Sequence, residues 1–383
     1  MATFDLTTRV IPDDHSIWAL HSGRRKRQYS NFNEFNCVFL EVPGFSATPS
    51  TFDSIETIRQ HLRMSDSVKQ YCEGRTDTPP SYNPNTYGSG PANREIARER
   101  GFNSAIGNVR SLYKEAKVGD LVMVPGVGQY AGVLIGEFTS EFSPRDEIRV
   151  VQFDEESVPI RKVKWISKSI EKRRFSRAIS RGLENRHAII NLNEGVNSSL
   201  NDISMEVYQR VYDNFTIAGR SKATFFGERY NSRDPEGIIA SATIIKYFYS
   251  AYLAAELGRQ QEFANLSYER AIAEFYDPAA VQYFSFNFNS PGAIKVAINT
   301  MGAVFVVLVI AVALDNISFS EATNNLNVTN GGVTIELPEL RQSCDLYRGI
   351  MQSIGEEGFE KVRTECMSAR STIGLDTPVR RTE

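Results

Sequence analysis

An α+β chain is predicted, with a β-barrel domain in front of a mainly helical region. Three observations carry this. Short apolar runs bounded by glycine and proline dominate residues 15–195, whereas residues 196–383 mostly space their apolar positions about 3.6 apart. Residues 291–314 are apolar on every face. At 383 residues the chain has length for two or three domains, each with its own core. The pattern divides it into residues 1–195, a helical domain at 196–290, an apolar helix at 291–315 and a small helical domain at 316–383.

Taken in order, Ile17-Trp18-Ala19-Leu20 is a first strand, closed by His21-Ser22-Gly23 and the basic turn Arg24-Arg25-Lys26-Arg27. Residues 36–42 are a second strand. Residues 53–72 are predicted helical from Ile55, Ile58, Leu62, Val68 and Tyr71, and residues 92–116 from Ile96, Phe102, Ile106, Val109 and Leu112. Between them, residues 76–91 are rich in Pro, Gly, Asn and Tyr and form a loop. Residues 118–125 and 129–138 flank Gly126-Val127-Gly128 as a hairpin, with a third strand at 157–166. The glycines there are turn residues: a strand follows them, so they are not a dinucleotide fingerprint.

Farther on, helices are predicted at 203–215 and 236–258, and residues 245–280 have the cadence of one tetratricopeptide-like hairpin. A helix from Pro291 to Leu314 would follow the cap Ser290 and run ~36 Å, enough for a bilayer core of ~30 Å. A buried central helix or strand would give much the same string. Residues 333–337 are a short strand, 338–370 a helical pair broken near Gly355, and the last dozen residues are expected to fray.

Net charge is −3, but residues 1–190 carry 27 Lys+Arg against 23 Asp+Glu, and the rest 16 against 23. A basic front half suits a polyanion partner. Residues 161–187 hold ten cations against Glu171 and Glu184, and from Ser167 onward they match an amphipathic helix. Lys164, Lys168, Lys172, Arg173, Arg174 and Arg177, with Arg24, Arg25, Lys26 and Arg27, are therefore the candidate phosphate contacts. The same run would also suit an anionic membrane or a solvated face. The N-terminus has no secretory pattern, and the four cysteines are widely spaced, as expected of reduced thiols. No metal, cofactor or catalytic motif is predicted, so an enzyme is the minority expectation.

Trp18 with Gly23-Arg24, the KVGDLVMVP and YAGVLIGEF strands, VPIRKVKWI and the closing FSRAISRGLENRHAIINL together resemble the PUA-like domains. This group includes EVE-type readers and the N-terminal domains of Mrr-like and McrB-like restriction proteins. The resemblance covers about 175 residues by motif and implies a small barrel whose loops hold a base. Trp18, Tyr130 and Trp165 are its candidate stacking residues. Nuclease activity is not implied, because the carboxylate pair and Gln/Glu-x-Lys of the Mrr-type enzymes have no counterpart.

By architecture the whole chain looks like bacterial antiphage systems that join a nucleotide or oligonucleotide sensor to a membrane effector. That expectation is a homo-oligomeric pore of four or more subunits in the inner membrane. Its N-terminal domain would be cytoplasmic and bind DNA, RNA or an oligonucleotide signal, with Lys295, Asn299, Thr300 and Asp315 at the pore mouth. The alternative is a cytoplasmic reader of modified DNA, the specificity subunit of a restriction system. A third, weaker expectation is an enzyme built from scattered Arg, Tyr and Glu residues.

Overall fold

The computed structural model describes residues 2–88, 96–185, 187–194, 202–229, 236–287, 292–315, 317–331, 333–334 and 338–382. The chain is α+β and forms two compact units. A middle unit is Asp13–Val207, and a split unit joins Met1–Pro12 to Tyr208–Glu383. The first strands, β1 (Ala2–Asp5) and β2 (Arg9–Val10), thus belong with the C-terminal part, and the boundary lies near 207 rather than 195.

The middle unit contains β3 (Ile17–Leu20), α1 (Tyr29–Phe35), β4 (Cys37–Val38), α2 (Ile55–Cys72), α3 (Ile96–Arg110), β5 (Leu121–Pro125) and β6 (Gly132–Phe138). It continues through β7 (Glu147–Arg149), β8 (Ser157–Pro159), β9 (Arg161–Glu171), α4 (Arg177–Leu183) and β10 (Ile189–Asn191), and the boundary falls within α5 (Asp202–Val211). Six strands form a curled half-barrel in the order β10-β3-β5-β6-β9-β4, while β7 and β8 pair separately. Only β3 and β5 run parallel in the six-stranded sheet.

Local chemistry accounts for these elements. Ser54 caps α2 by accepting the Thr57 N–H at 3.3 Å, and Ile58, Leu62 and Val68 face the core, as their spacing predicts. Gly136 is required where β6 crosses β9, because a Cβ there would lie 2.4 Å from Val163 Cγ1. Arg161 is buried: its guanidinium donates to the carbonyls of Leu112, Ala116 and Ser140 and lies 4.8 Å over the Phe138 ring. The first cation of the basic run is therefore internal. The single helix expected from Ser167 is corrected. The β9 strand continues to Glu171 because β6 pairs with it through Gly132–Glu171, a short turn covers Lys172–Arg174, and α4 begins only at Arg177.

The split unit adds β11 (Phe215–Ile217), β12 (Arg220–Gly227), α6 (Glu236–Glu256), α7 (Gln260–Ala264), α8 (Tyr268–Phe275), β13 (Tyr283–Asn287) and β14 (Gly292–Asn299). Then come α9 (Thr300–Leu314), α10 (Phe319–Asn324), β15 (Leu326–Asn330), β16 (Val333–Thr334), α11 (Pro338–Ile373) and β17 (Arg380–Thr382). Its sheets run β13-β14-β12-β11-β2 and β16-β15-β1-β17. The chain end is not frayed as expected: Arg380–Thr382 pairs with β1. The break predicted near Gly355 is present as a left-handed residue, φ 73, inside α11.

The apolar segment is a correction of its own. Residues 291–314 are not one helix: Gly292–Asn299 is a strand and Thr300–Leu314 a 15-residue helix. Ile294, Val296 and Ile298 alternate with Ala293 and Lys295 and pair with β12 and β13, so period two prevails over helix. At ~1.5 Å per residue α9 is ~22 Å long, short of a bilayer core of ~30 Å. Every α9 residue except Met301 is buried, with α6 and α11 packed against the helix. Among the described residues one helix is long and apolar enough to cross a membrane, α6, and half of its apolar window is buried.

Candidate functional site

The middle unit places a cleft where β3 ends. After Leu20 the chain turns through Gly23 (φ 75) into a tight turn, Arg24–Lys26, in which Arg25 and Lys26 are both left-handed (φ 57 and 61). Left-handed backbone at a non-glycine residue costs ~1–2 kcal/mol, so two in succession mark a conformation held by its surroundings. Glu41 does the holding. It accepts from Arg27 at 2.5 and 2.8 Å and from Lys69 at 3.3 Å, and it lies so close to Gly23 that a Cβ there would be 2.2 Å from Oε1. Burial alone would raise the Glu41 carboxyl; Arg27 and Lys69 outweigh it and keep the group below its ordinary value.

This clamp turns Lys26 inward. Its Nζ lies 2.5 Å from His21 Nδ1. Burial, then the Lys26 charge, lowers the imidazole to about 4, with the Asn185 backbone pulling the other way. Burial, then the Lys172 charge, lowers the Lys26 amine to about 8. Lys172 is 8% exposed and bonds Glu184 at 3.0 Å, where Gln129 also donates at 2.8 Å. Lys172 thus bonds a half-exposed carboxylate, while its charge bears on the Lys26–His21 pair.

Beside them opens a cavity of about 550 Å³. Leu40, Leu62 and Val109 give it an apolar floor, His21, Lys26, Glu41 and Glu184 polar walls, and Arg24 and Arg25 an exposed rim. A second cavity of about 330 Å³ shares Glu41, Val42, Leu62 and Ala105 with it and adds Lys69 and Phe102. A concave apolar surface with a few convergent polar groups, at this volume, suits one small ligand. Among the described residues no cluster of His, Cys, Asp and Glu could hold a metal ion.

The predicted residues divide among several places. Arg24, Arg25 and Lys26 line the cavity, and Arg27 is the clamp. Lys164 is exposed on β9; Lys168 lies on the same strand, its side chain outside the described residues. Arg173 bonds Glu171 at 2.6 Å and lies 4.6 Å over the Tyr130 ring, which is 72% exposed at the hairpin tip. Arg174 and Arg177 are exposed nearby in sequence.

The three aromatic candidates do not form one box. Trp18 is buried on β3 and donates its indole N–H to Asp120 at 3.0 Å. Trp165 lies on β9, with β5 and β6 between, and donates to the Phe32 carbonyl at 3.1 Å. Of the pore candidates, Asn299 caps α9 by accepting the Gly302 N–H at 2.8 Å and donates to the Tyr252 hydroxyl at 2.9 Å. Thr300 is buried and accepts from Ser221, Asp315 bonds Arg381 at 2.8 Å, and Lys295 is half-buried in β14.

Sequence reasoning missed His21, Glu41, Lys69 and Glu184. The one local signal was the run from His21 to Arg27, three residues after a candidate tryptophan. Lys26 and Lys172 are far apart in the chain, and nothing local announces their meeting. A scan against known protein families, and searches of curated proteins and of solved structures, find no match to this chain.

Proposed function

We propose that the middle unit is a PUA-like reader of nucleic acid or of a nucleotide signal, acting by binding rather than catalysis. The cavity beside the turn Arg24–Lys26 carries this reading, because it joins an apolar floor to a cationic rim. An apolar floor suits the face of a base, and guanidinium groups suit phosphate oxygens. The curled half-barrel is compatible with a PUA-like domain, and Arg173 on Tyr130 offers a second exposed surface for stacking. With the reading comes its setting: a sensor in antiphage defence, or the specificity subunit of a restriction system.

Fluorescence anisotropy with labelled single-stranded DNA, single-stranded RNA and duplex DNA, over 50 to 200 mM salt, tests it. Arg24→Ala/Arg25→Ala is expected to weaken binding and to lower the slope of log K against log salt by ~1 for each phosphate that the variant no longer neutralises. Equal binding by the double variant and the wild-type protein at every salt concentration would refute this site.

A membrane effector is the second reading, and it now rests on α6 instead of residues 291–314. Ile239 on α6 is 61% exposed, which is the observation in its favour. Retention of the expressed chain in membranes through a carbonate wash, with release by detergent, would support it. Recovery in the soluble fraction would remove the pore.

A further inference from the structure

Two carboxylates, Glu41 and Glu184, line the cavity, and other cations already engage both. Among the described residues no carboxylate pairs with Lys26, whose hydrogen-bond partner is His21 Nδ1. Glu184 is engaged by Lys172 and Gln129. Glu41 is likewise engaged by Arg27 and Lys69. Because Nδ1 accepts from the Lys26 ammonium, the neutral His21 ring carries its proton on Nε2. That nitrogen is buried, with the Asn185 backbone as its hydrogen-bonding neighbour. The ring thus positions Lys26, whose ammonium has no counter-charge among the described residues.

We infer that the cavity takes a terminal phosphate monoester, with Lys26 Nζ as its inner donor and Arg24 and Arg25 at the rim. The inference rests on the reader proposed above and names its ligand class. A monoester carries up to two charges and three acceptor oxygens, enough to answer the Lys26 ammonium and the two rim guanidinium groups. A mid-strand phosphodiester carries one charge and must continue in two directions. A cavity of about 550 Å³ on an apolar floor suits one nucleotide with its phosphate toward Lys26. The left-handed backbone at Arg25 and Lys26, clamped through Gly23 and Arg27, fixes these donors before the ligand arrives. A free nucleotide and a 5′-phosphorylated strand end share this chemistry.

The test uses the full chain and five probes: inorganic phosphate, adenosine, AMP, and one hexanucleotide with either a 5′-hydroxyl or a 5′-phosphate. The phosphorylated member of each pair is expected to bind about tenfold tighter or more, since charge-assisted hydrogen bonds are at stake. Lys26→Met should abolish that preference, so that the two members of each pair bind alike, and His21→Gln, which removes the group positioning Lys26, should reduce it. In histidine-labelled NMR, inorganic phosphate should raise the His21 titration. If AMP equals the phosphorylated strand, the ligand is a free nucleotide; if the strand is tighter, it is a strand end. Equal affinity within both pairs, with Arg24→Ala/Arg25→Ala still weakening all strands, overturns the phosphate inference and leaves the reader standing. No binding of any strand or nucleotide overturns both. Should either variant fail to fold, the wild-type comparison within the pairs still decides.

Discussion

Two lysines, one in each unit, have amines lowered by burial, and only one of them borders usable space. Lys222 in the split unit is 2% exposed; its Nζ donates to the carbonyls of Gln209 and Tyr212, and burial, then Lys295, lowers it to about 7. The cavity beside it is about 10 Å³. Lys26 is lowered less, to about 8, yet it borders about 550 Å³ and an exposed rim. A perturbed amine marks burial. Burial next to open, unsatisfied space marks a site.

The largest expected effect sharpens the closed side of this comparison. Phe305, fully buried on α9 against Phe248 and Tyr347, should cost ~3–5 kcal/mol when changed to alanine, read by urea denaturation. A cost under ~1 kcal/mol would mean that α9 is not the packed centre of its unit. Next is Gly23→Ala, at φ 75 and against Glu41. It should cost ~1–3 kcal/mol and weaken nucleotide binding together, as the clamp and the cavity share that residue. Loss of stability with binding intact would separate the two.

Proton linkage gives the third. Lys222 and Lys26 are held below the ordinary lysine value of ~10.4, so the unfolded chain binds more protons between each folded value and that one. Stability should therefore rise with pH from about 7 upward. Lys222→Met should remove the wider part of that slope and Lys26→Met the narrower part, beginning near pH 8. His21 acts with the same sign lower down. Neutral in the fold, it contributes stability that is lost as pH falls from ~6.5 toward about 4, and His21→Gln should flatten that limb. The smallest effect is at the hairpin tip, where Tyr130→Ala should change stability by under ~0.5 kcal/mol. Its influence would be confined to binding on the Arg173 surface.

The local pattern of residues was sufficient for much of this molecule. Ser54 with the Ile58, Leu62 and Val68 spacing specifies α2, and the glycines at 126 and 128 specify the turn between β5 and β6. Gly355 specifies the break in α11, and the α+β class follows from such segments in sequence order. Capping, turn chemistry and periodicity act within a few residues, so they can be read one segment at a time.

Tertiary contacts decided the rest. In residues 291–314 an apolar string satisfied helix and strand rules alike, and pairing with β12 and β13 assigned its first third to a sheet. The basic run was legible as charge, but pairing with β6 made its first part a strand and burial made Arg161 and Lys172 internal. The N-terminal strand joined the C-terminal unit through β15 and β17, which no local signal predicts. The cleft was the least legible feature. His21, Lys26, Glu41 and Glu184 acquire their meaning from neighbours distant in sequence, and a sequence records which charges exist without recording which are left unanswered when the chain has folded.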